Sequence, residues 1–430
     1  MSNEAACCGR RRRTFAQANR AKGASLQYIG IDIAKNAHVA ASRLQDGTPH
    51  GRAFRFTNDE RGFKSLLARF AELEVDPGDC IVAMESTGHY WLALWSFLDD
   101  RGYPVAVVNP VLTDAFRKAD SVRKTKTDAI DAFLIAEYAR FKSLGPTPIA
   151  PEVADGAKVL TRYRAHLVAE RTALKNRATA AADRVFPELE GCFSSRHSAA
   201  SRAVLAEFGT PARVAATDIR TLARVIREAS RGRHGREKAE EVKAAAKASV
   251  GSTWATDALA FELSHIVSLI DHMDSEIAAL DAKIAEVVEG PMAELLRTIP
   301  GVGPVNAAVI LAEVGDPGRF EDPSKLYAYA GIDASKSQSG KFDGTEQHMS
   351  KRGSSYLRHA LMHAADKARM CDPYFGDYYD SLRARGKHHY VAVSGVARKL
   401  CGVILAVMKE QRPYERRPSI QSRQKEPAKS

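Results

Sequence analysis

Residues 26–43, LQYIGIDIAKNAHVAASR, open the ordered part of the pattern and decide the fold. LQYIGIDI reads as one strand and HVAASRL as the next, and AFRFTN at 53–58 is a third after a glycine-bearing turn. Because side chains alternate along a strand, Ile31 and Ile33 should enter a core while Asp32 faces the other way. A lone carboxylate on an apolar strand is costly to bury, so Asp32 calls for a chemical reason.

Working outward, a helix is expected from Asp59 to Leu73 with Asn58 or Asp59 as its cap. The strand CIVAME (80–85), the helix WLALWSFLDD (91–100) and the strand PVAVVNP (104–110) follow. Three consecutive strands and a helix, then strand–helix–strand–helix, predict an α/β mixed sheet covered by helices. Glu85 closes its strand before the turn STG, at the end where open sheets present ligand residues. Asp128 and Asp131 in KTKTDAIDAF stand three apart, which places both on one face of a helix.

Four such carboxylates brought together would repel one another. Mg²⁺ or Mn²⁺, held by hard oxygen ligands, would relieve that repulsion. Two ions roughly 4 Å apart activate an attacking oxygen and stabilise a departing one. Asp32, Glu85, Asp128 and Asp131 are therefore read as a two-metal phosphodiester site, with Asp114 and Asp120 as outsiders. Arg117, Lys118, Arg123, Lys124 and Lys126 precede the last pair. They would either steer a phosphate backbone toward the metals or form a plain charged loop.

At 430 residues the chain exceeds one ordinary core. With 63 Lys and Arg against 52 Asp and Glu, its formal charge is +11, which favours polyanion partners. No apolar run approaches membrane-spanning length and no signal-peptide stretch opens the chain, so a cytoplasmic protein without membrane contact is expected. The six cysteines (Cys7, Cys8, Cys80, Cys192, Cys371 and Cys401) lack zinc-ligand spacing and read as reduced thiols, with Cys80 and Cys401 in cores.

Residues 1–24, with GRRRRTF, form a basic arm or an overlong start of the reading frame. Residues 25–145 form the catalytic domain and 146–290 a helical, coiled-coil and linker region. Long helices are expected there at about 155–182 and 257–288. The basic run REASRGRHGREKAEE between them is either a solvated face or a polyanion contact. Residues 291–409 form a mostly α-helical C-terminal domain, and 410–430 a disordered tail. LLRTIPGVGPVNAAVILAEVG has the helix–hairpin–helix pattern, whose Gly301 and Gly303 would let backbone N–H groups approach a phosphate. Lys351, Arg352 and Arg358 cluster where a helix opens at about Ser354 and are further nucleic-acid candidates. Ser337 and Ser339 are hydroxyls beside lysines that could attack phosphorus if activated.

Taken together, GIDIAK, MESTGHYW and KTKTDAIDA resemble the DEDD motif of the RuvC-like transposases of bacterial insertion sequences. PGVGPVNAAVILAEVG, YAYAGIDASKSQSG and SKRGSSYLRHAL are similar to that family's C-terminal transposase domain, and the match runs in order from about 26 to 409. The resemblance implies an RNase H-like N-terminal fold and a nucleophilic serine that falls on Ser339, with Ser337 as fallback. It implies donor and target DNA as partners, and a structured bridge RNA that pairs with both. It also implies a homodimer on each DNA and a homotetramer at the synapse, with a covalent phosphoserine intermediate. The stretch 191–250 is longer than a minimal connector, and the loop around the serine is a variable version.

Two other readings compete. A structure-specific endonuclease similar to a Holliday-junction resolvase would use the same acids with water as nucleophile. A non-catalytic nucleic-acid-binding protein would use the basic segments for affinity alone.

Overall fold

A computed structural model describes residues 26–120, 127–147, 152–333, 338–339, 342–343 and 349–417. The chain divides into two compact units, Met1–Ile149 and Ala150–Ser430.

The first unit holds a five-stranded sheet of β1 (Gln27–Asp32), β2 (Ala37–Arg43), β3 (Phe54–Thr57), β4 (Cys80–Glu85) and β5 (Val105–Val108). Their order is β3-β2-β1-β4-β5. β1 to β3 are antiparallel neighbours, while β4 and β5 join β1 in parallel, so the sheet is mixed as the sequence predicts. The helices are α1 (Glu60–Glu72), α2 (Trp91–Asp99), α3 (Pro110–Asp120) and α4 (Asp128–Phe141). Asp59 caps α1, its carboxylate accepting from the Gly62 amide at 2.7 Å. Together these strands and helices form an RNase H-like α/β domain.

Alternation divides the sheet into two faces. Ile29, Ile31 and Ile33 pack with Phe63, Leu66 and Phe70 of α1 and Leu94 and Leu98 of α2. Tyr28, Ile81 and Ala83 face the other way, onto Ile135, Tyr138 and Ala139 of α4. Gly30 lies on this second face. A Cβ there would stand 2.0 Å from the Ala132 carbonyl oxygen and 2.4 Å from the Ala136 nitrogen. Helix α4 therefore rests directly on the backbone of β1, which only a glycine beneath a stripe of alanines allows. With Tyr28 near Tyr138 and Gly30 under Ala132, α4 runs antiparallel to β1, and its first turn overhangs the strand's carboxyl end.

The second unit is helical. Its long elements are α5 (Glu152–Val185) and, beyond a group of shorter helices, α11 (Thr256–Val287). The shorter helices are α6 (Leu189–Cys192), α7 (Ala199–Glu207), α8 (Pro211–Ala216), α9 (Ile219–Ala229) and α10 (Arg236–Lys247). Helix α5 exceeds its predicted span by three residues at each end and α11 matches its own within one residue, and the two pair antiparallel within this one chain. Arg164 meets Asp281, and Arg171 meets Asp274 at 2.6 Å, bridging the pair. Within the basic run between them, Arg236 pairs with Glu240 and Lys238 with Glu241 on the surface.

Beyond lie α12 (Pro291–Arg297), α13 (Pro304–Val314), a 3₁₀ turn, α14 (Pro323–Tyr329), α15 (Ser355–Cys371), α16 (Pro373–Ala384) and α17 (His389–Glu410). Helix α17 corrects one expectation: by length and composition it could cross a membrane, yet 72% of its apolar window is buried within the protein. Val396, Leu400 and Ile404 form the centre of this domain's core, so its hydropathy reflects packing. The thiols of Cys80 and Cys401 are buried as predicted, and burial pushes each up to about 12, leaving them unreactive. Glu313 of α13 is buried, accepts both guanidinium N–H groups of Arg162 at 2.7 and 3.1 Å, and accepts the Ser354 hydroxyl at 2.9 Å. That cluster fastens α5 to α13 and to the start of α15.

Gly30→Ala should cost about 3 kcal/mol or more, because a backbone contact cannot be relieved by a rotamer change. Thermal unfolding of the variant checks this, and an unchanged melting temperature would contradict the close approach of α4.

A pH dependence follows from His38 on β2. Its ring is fully buried against Phe56 and Phe63. Nδ1 accepts from the Ala34 amide at 3.3 Å, and Nε2 has no hydrogen bond among the described residues. Burial lowers the imidazole's pKa, opposed in part by the Asn58 side chain. The unfolded chain therefore binds a proton more readily than the folded one. This stability is fully present above about 6.5, the ordinary histidine value, and is lost as pH falls toward the lower folded value. Melting temperatures between pH 7 and 5 should fall less steeply for His38→Phe than for the parent.

Candidate active site

Asp32 is the last residue of β1, opposite Val39 of β2. The β1–β4 register pairs Ile31 with Met84, so the next step sets Asp32 beside Glu85, the last residue of β4. Neighbouring strands lie about 4.8 Å apart. The alternation that turns Tyr28 and Gly30 toward α4 turns Asp32 there too. Ile81 and Ala83 do the same for Glu85. Two carboxylates thus emerge from adjacent strand ends on the side where α4 begins.

Helix α4 starts with Thr127 as cap, its hydroxyl accepting from the Ile130 amide at 3.3 Å. Asp128 and Asp131 form its acidic first turn, a placement the helix dipole favours. Asp128 is exposed, whereas Asp131 is only 4% exposed. The antiparallel seating of α4 on β1 carries this turn to the same edge as Asp32 and Glu85.

Helix α3 adds two side chains that sequence reasoning missed in these roles. The buried Thr113 hydroxyl donates to Glu85 Oε1 at 2.5 Å. Four residues on, Arg117 Nη2 stands 3.0 Å from Asp131 Oδ1, with Asp114 at 3.7 Å from the same guanidinium. Arg117 was expected to steer phosphates or sit in a charged loop; instead it neutralises an acid of the cluster. Its i, i+4 spacing from Thr113 in TDAFR was the available signal.

The donors are hard oxygens on one edge, which suits a divalent cation of the Mg²⁺ type. Among the described residues, however, no three of His, Cys, Asp and Glu converge closely enough to hold one. With Arg117 on Asp131 and Thr113 on Glu85, two of the four carboxylates rest on protein partners in this arrangement.

In the second unit, Ser339 lies in a two-stranded ribbon of β6 (Gln338–Ser339) and β7 (Phe342–Asp343), where it pairs with Phe342. Ser337 and Lys126 lie outside the described residues. The ribbon's segment is closed at its base: the Ser350 amide donates to the Asp333 carbonyl at 2.9 Å, and the Ser350 hydroxyl donates to the Asp333 carboxylate. Lys351 adopts a left-handed conformation, and its amide donates to the Gly331 carbonyl at 3.1 Å. Lys351 and Arg352 are exposed. Arg358 donates to the Ala330 carbonyl at 3.1 Å, satisfying the end of α14. Gly301, at φ +81°, has a packing reason of its own, since a Cβ would stand 2.2 Å from the Ala364 carbonyl oxygen of α15. Gly303, the uncapped N-terminal boundary of α13, faces open space.

An RNase H-like sheet with acids at its strand ends, followed by a helical unit with a helix–hairpin–helix turn, is the architecture of a protein that acts on nucleic acid, and the comparisons define it as a transposase. Two family models match this chain: a DEDD model of the IS110 type described as "Transposase" over residues 29–187, and "Transposase IS116/IS110/IS902 family" over residues 293–380. The chain belongs to this IS110/IS116/IS902 family of bacterial insertion-sequence transposases. It is 27% identical over 402 residues to the "Insertion element IS116 uncharacterized 44.8 kDa protein" of Streptomyces clavuligerus, covering 91% of this chain and 97% of that protein. It is 28% identical over 397 residues to the "Insertion element IS110 uncharacterized 43.6 kDa protein" of Streptomyces coelicolor, covering 91% and 96%. Identity to the "Pilin gene-inverting protein" of Moraxella bovis is 24% over 403 residues, covering 91% and 99%.

Arg117→Ala removes the guanidinium beside a nearly buried carboxylate. Because Arg117 itself is partly exposed, the expected loss is about 1–3 kcal/mol, below that for a fully buried pair. Denaturant unfolding measures it, and a midpoint equal to the parent's would show that the pair contributes nothing.

Proposed function

We propose that this transposase cuts and rejoins DNA through a phosphoserine link at Ser339, with Asp32, Glu85, Asp128 and Asp131 holding Mg²⁺ or Mn²⁺. The observation that supports it best is the placement of two strand-end carboxylates and the acidic first turn of α4 at one edge of the sheet. A hydrolytic or a transfer site of the RNase H-like type needs acids at that edge, whereas a protein that only binds nucleic acid does not. Metal ions bound there would supply Lewis-acid charge on the scissile phosphate.

The chain's own groups do the rest. Ser339 Oγ loses its proton and forms a bond to phosphorus as the bond to the 3′ oxygen breaks, and that oxygen leaves as a hydroxyl. The 3′ hydroxyl of another strand then reverses the step, displacing the serine and restoring a phosphodiester. Each bond broken is matched by one formed, so no nucleotide is consumed. Positioning of the strand against the serine contributes much of the rate. The name of the gene-inverting relative supports exchange over hydrolysis, because an inversion requires rejoined ends. Lys126, Gly303, Lys351 and Arg352 are candidate phosphate contacts. Gly301 and Arg358 would act there mainly by holding the local structure.

In this reading donor and target DNA are selected by a bridge RNA, and a homodimer on each DNA joins into a homotetramer at the synapse. The RNA and the assembly rest on the resemblance of the catalytic and C-terminal motifs. The enzyme would work in the bacterial cytoplasm, at the nucleoid.

Incubation of the protein with RNA from the element's flank, matched donor and target DNA and Mg²⁺ should give a denaturation-resistant protein–DNA adduct and rejoined product. Asp32→Asn and Ser339→Ala should each abolish both, while Ser337→Ala should not. Free nicked DNA that persists in Ser339→Ala would sink the phosphoserine step and favour water as nucleophile. Product formed equally well without RNA would remove the guide.

A further inference from the structure

The second unit contains a cavity of about 1410 Å³ between one face of α5, the turn leading into α13, and the exposed stripe of α15. Small-molecule sites usually measure about 300–1,000 Å³, so this space suits a segment of a polymer. Its lining includes four arginines, one lysine and three histidines, and not a single Asp or Glu. In a chain with 52 acidic residues, that exclusion marks a surface made for an anion.

The charges are not all committed. Arg164 and Arg171 pair with acids of α11, and Arg297 with Glu294. Lys367 and Arg416 have no ion pair among the described residues. Lys367 is exposed and ends a stripe with His359 and His363 at four-residue spacing along α15. Across the groove, the first turn of α13 presents amides with no side-chain cap, beside the open Gly303. Tyr356 lies between the walls, its hydroxyl 2.7 Å from His166 Nε2 on α5.

We propose that this groove seats a single strand of DNA by its phosphates, through Lys367, Arg416, the α15 histidines and the first-turn amides of α13. It rests on the reading that the chain handles DNA. It extends the phosphate contact proposed at Gly303 across the groove to Lys367 and the histidines of α15 and to Arg416, all outside the carboxylate cluster and the serine ribbon. Such contacts fix a strand's path without reading bases, and the partly buried tyrosines offer stacking surfaces to unpaired bases.

The test uses the full chain as the Asp32→Asn variant, so that no cleavage intervenes, with labelled mixed-sequence oligonucleotides over a range of salt. The DNA strand should bind with a salt slope that falls by about 1 to 2 in the Lys367→Ala/Arg416→Ala double variant. The control Arg236→Ala/Lys283→Ala removes the same charge from surface pairs elsewhere and should leave the slope unchanged. Cys371 lines the groove and is exposed, so saturating DNA should slow its alkylation as read by peptide mass spectrometry. An unchanged slope in the groove variant, or Cys371 alkylated at the same rate with and without DNA, overturns the proposal. So does RNA of the same sequence, or a protein partner, occupying the groove in preference to the DNA strand. Loss of the Ser339 adduct reading with strand binding intact would leave this site standing, since binding here needs no chemistry.

Discussion

Helix α4 lies on bare backbone, with Gly30 beneath Ala132 and Ala136, and the acidic edge of the sheet depends on that contact. A larger residue at any of the three positions would lift the helix and withdraw its first turn from the ends of β1 and β4. The acids of that turn cannot reach the sheet by their own length; the seat of the helix brings them there. Thus a packing constraint in the middle of a strand sets the geometry of a site two residues further along. Stability and chemistry are coupled in one interface, because Asp131 is both nearly buried and part of the candidate ligand set.

Much of this was legible in the sequence, for identifiable reasons. Alternation in QYIGID sorted the strand's two faces, the cap at Asp59 marked a helix start, and strand-terminal positions singled out Asp32 and Glu85. The spacing of Asp128 and Asp131 placed both in the first turn of one helix. Partnerships across elements were not legible. Thr113 bonds Glu85 across 28 residues, and Glu313 receives Arg162 across 151. No local pattern encodes such pairings. Gly301 was open to two readings for a related reason: a glycine that admits a phosphate and one that admits a neighbouring helix look identical until the neighbour is located. The apolar length of α17 was overlooked in the sequence, and burial in the core accounts for its membrane-like composition.

The two units divide labour in their electrostatics. In the first, acids are gathered and one arginine answers them. In the second, basic residues gather along a groove while their acidic neighbours are spent on helix pairs such as Arg171–Asp274.

The clasp between Asp333 and Ser350 has an evolutionary side. It holds together the two ends of the segment that bears Ser339, so the fold outside the clasp is indifferent to how many residues run between them. Closing a loop of twice the length costs only about 0.6 kcal/mol more. Lineages of such elements could therefore lengthen, shorten or rewrite this stretch with little penalty to the core. In the proposed reading, the serine that attacks phosphorus stands on this segment, so its surroundings can be rewritten while the scaffold outside the clasp is inherited unchanged.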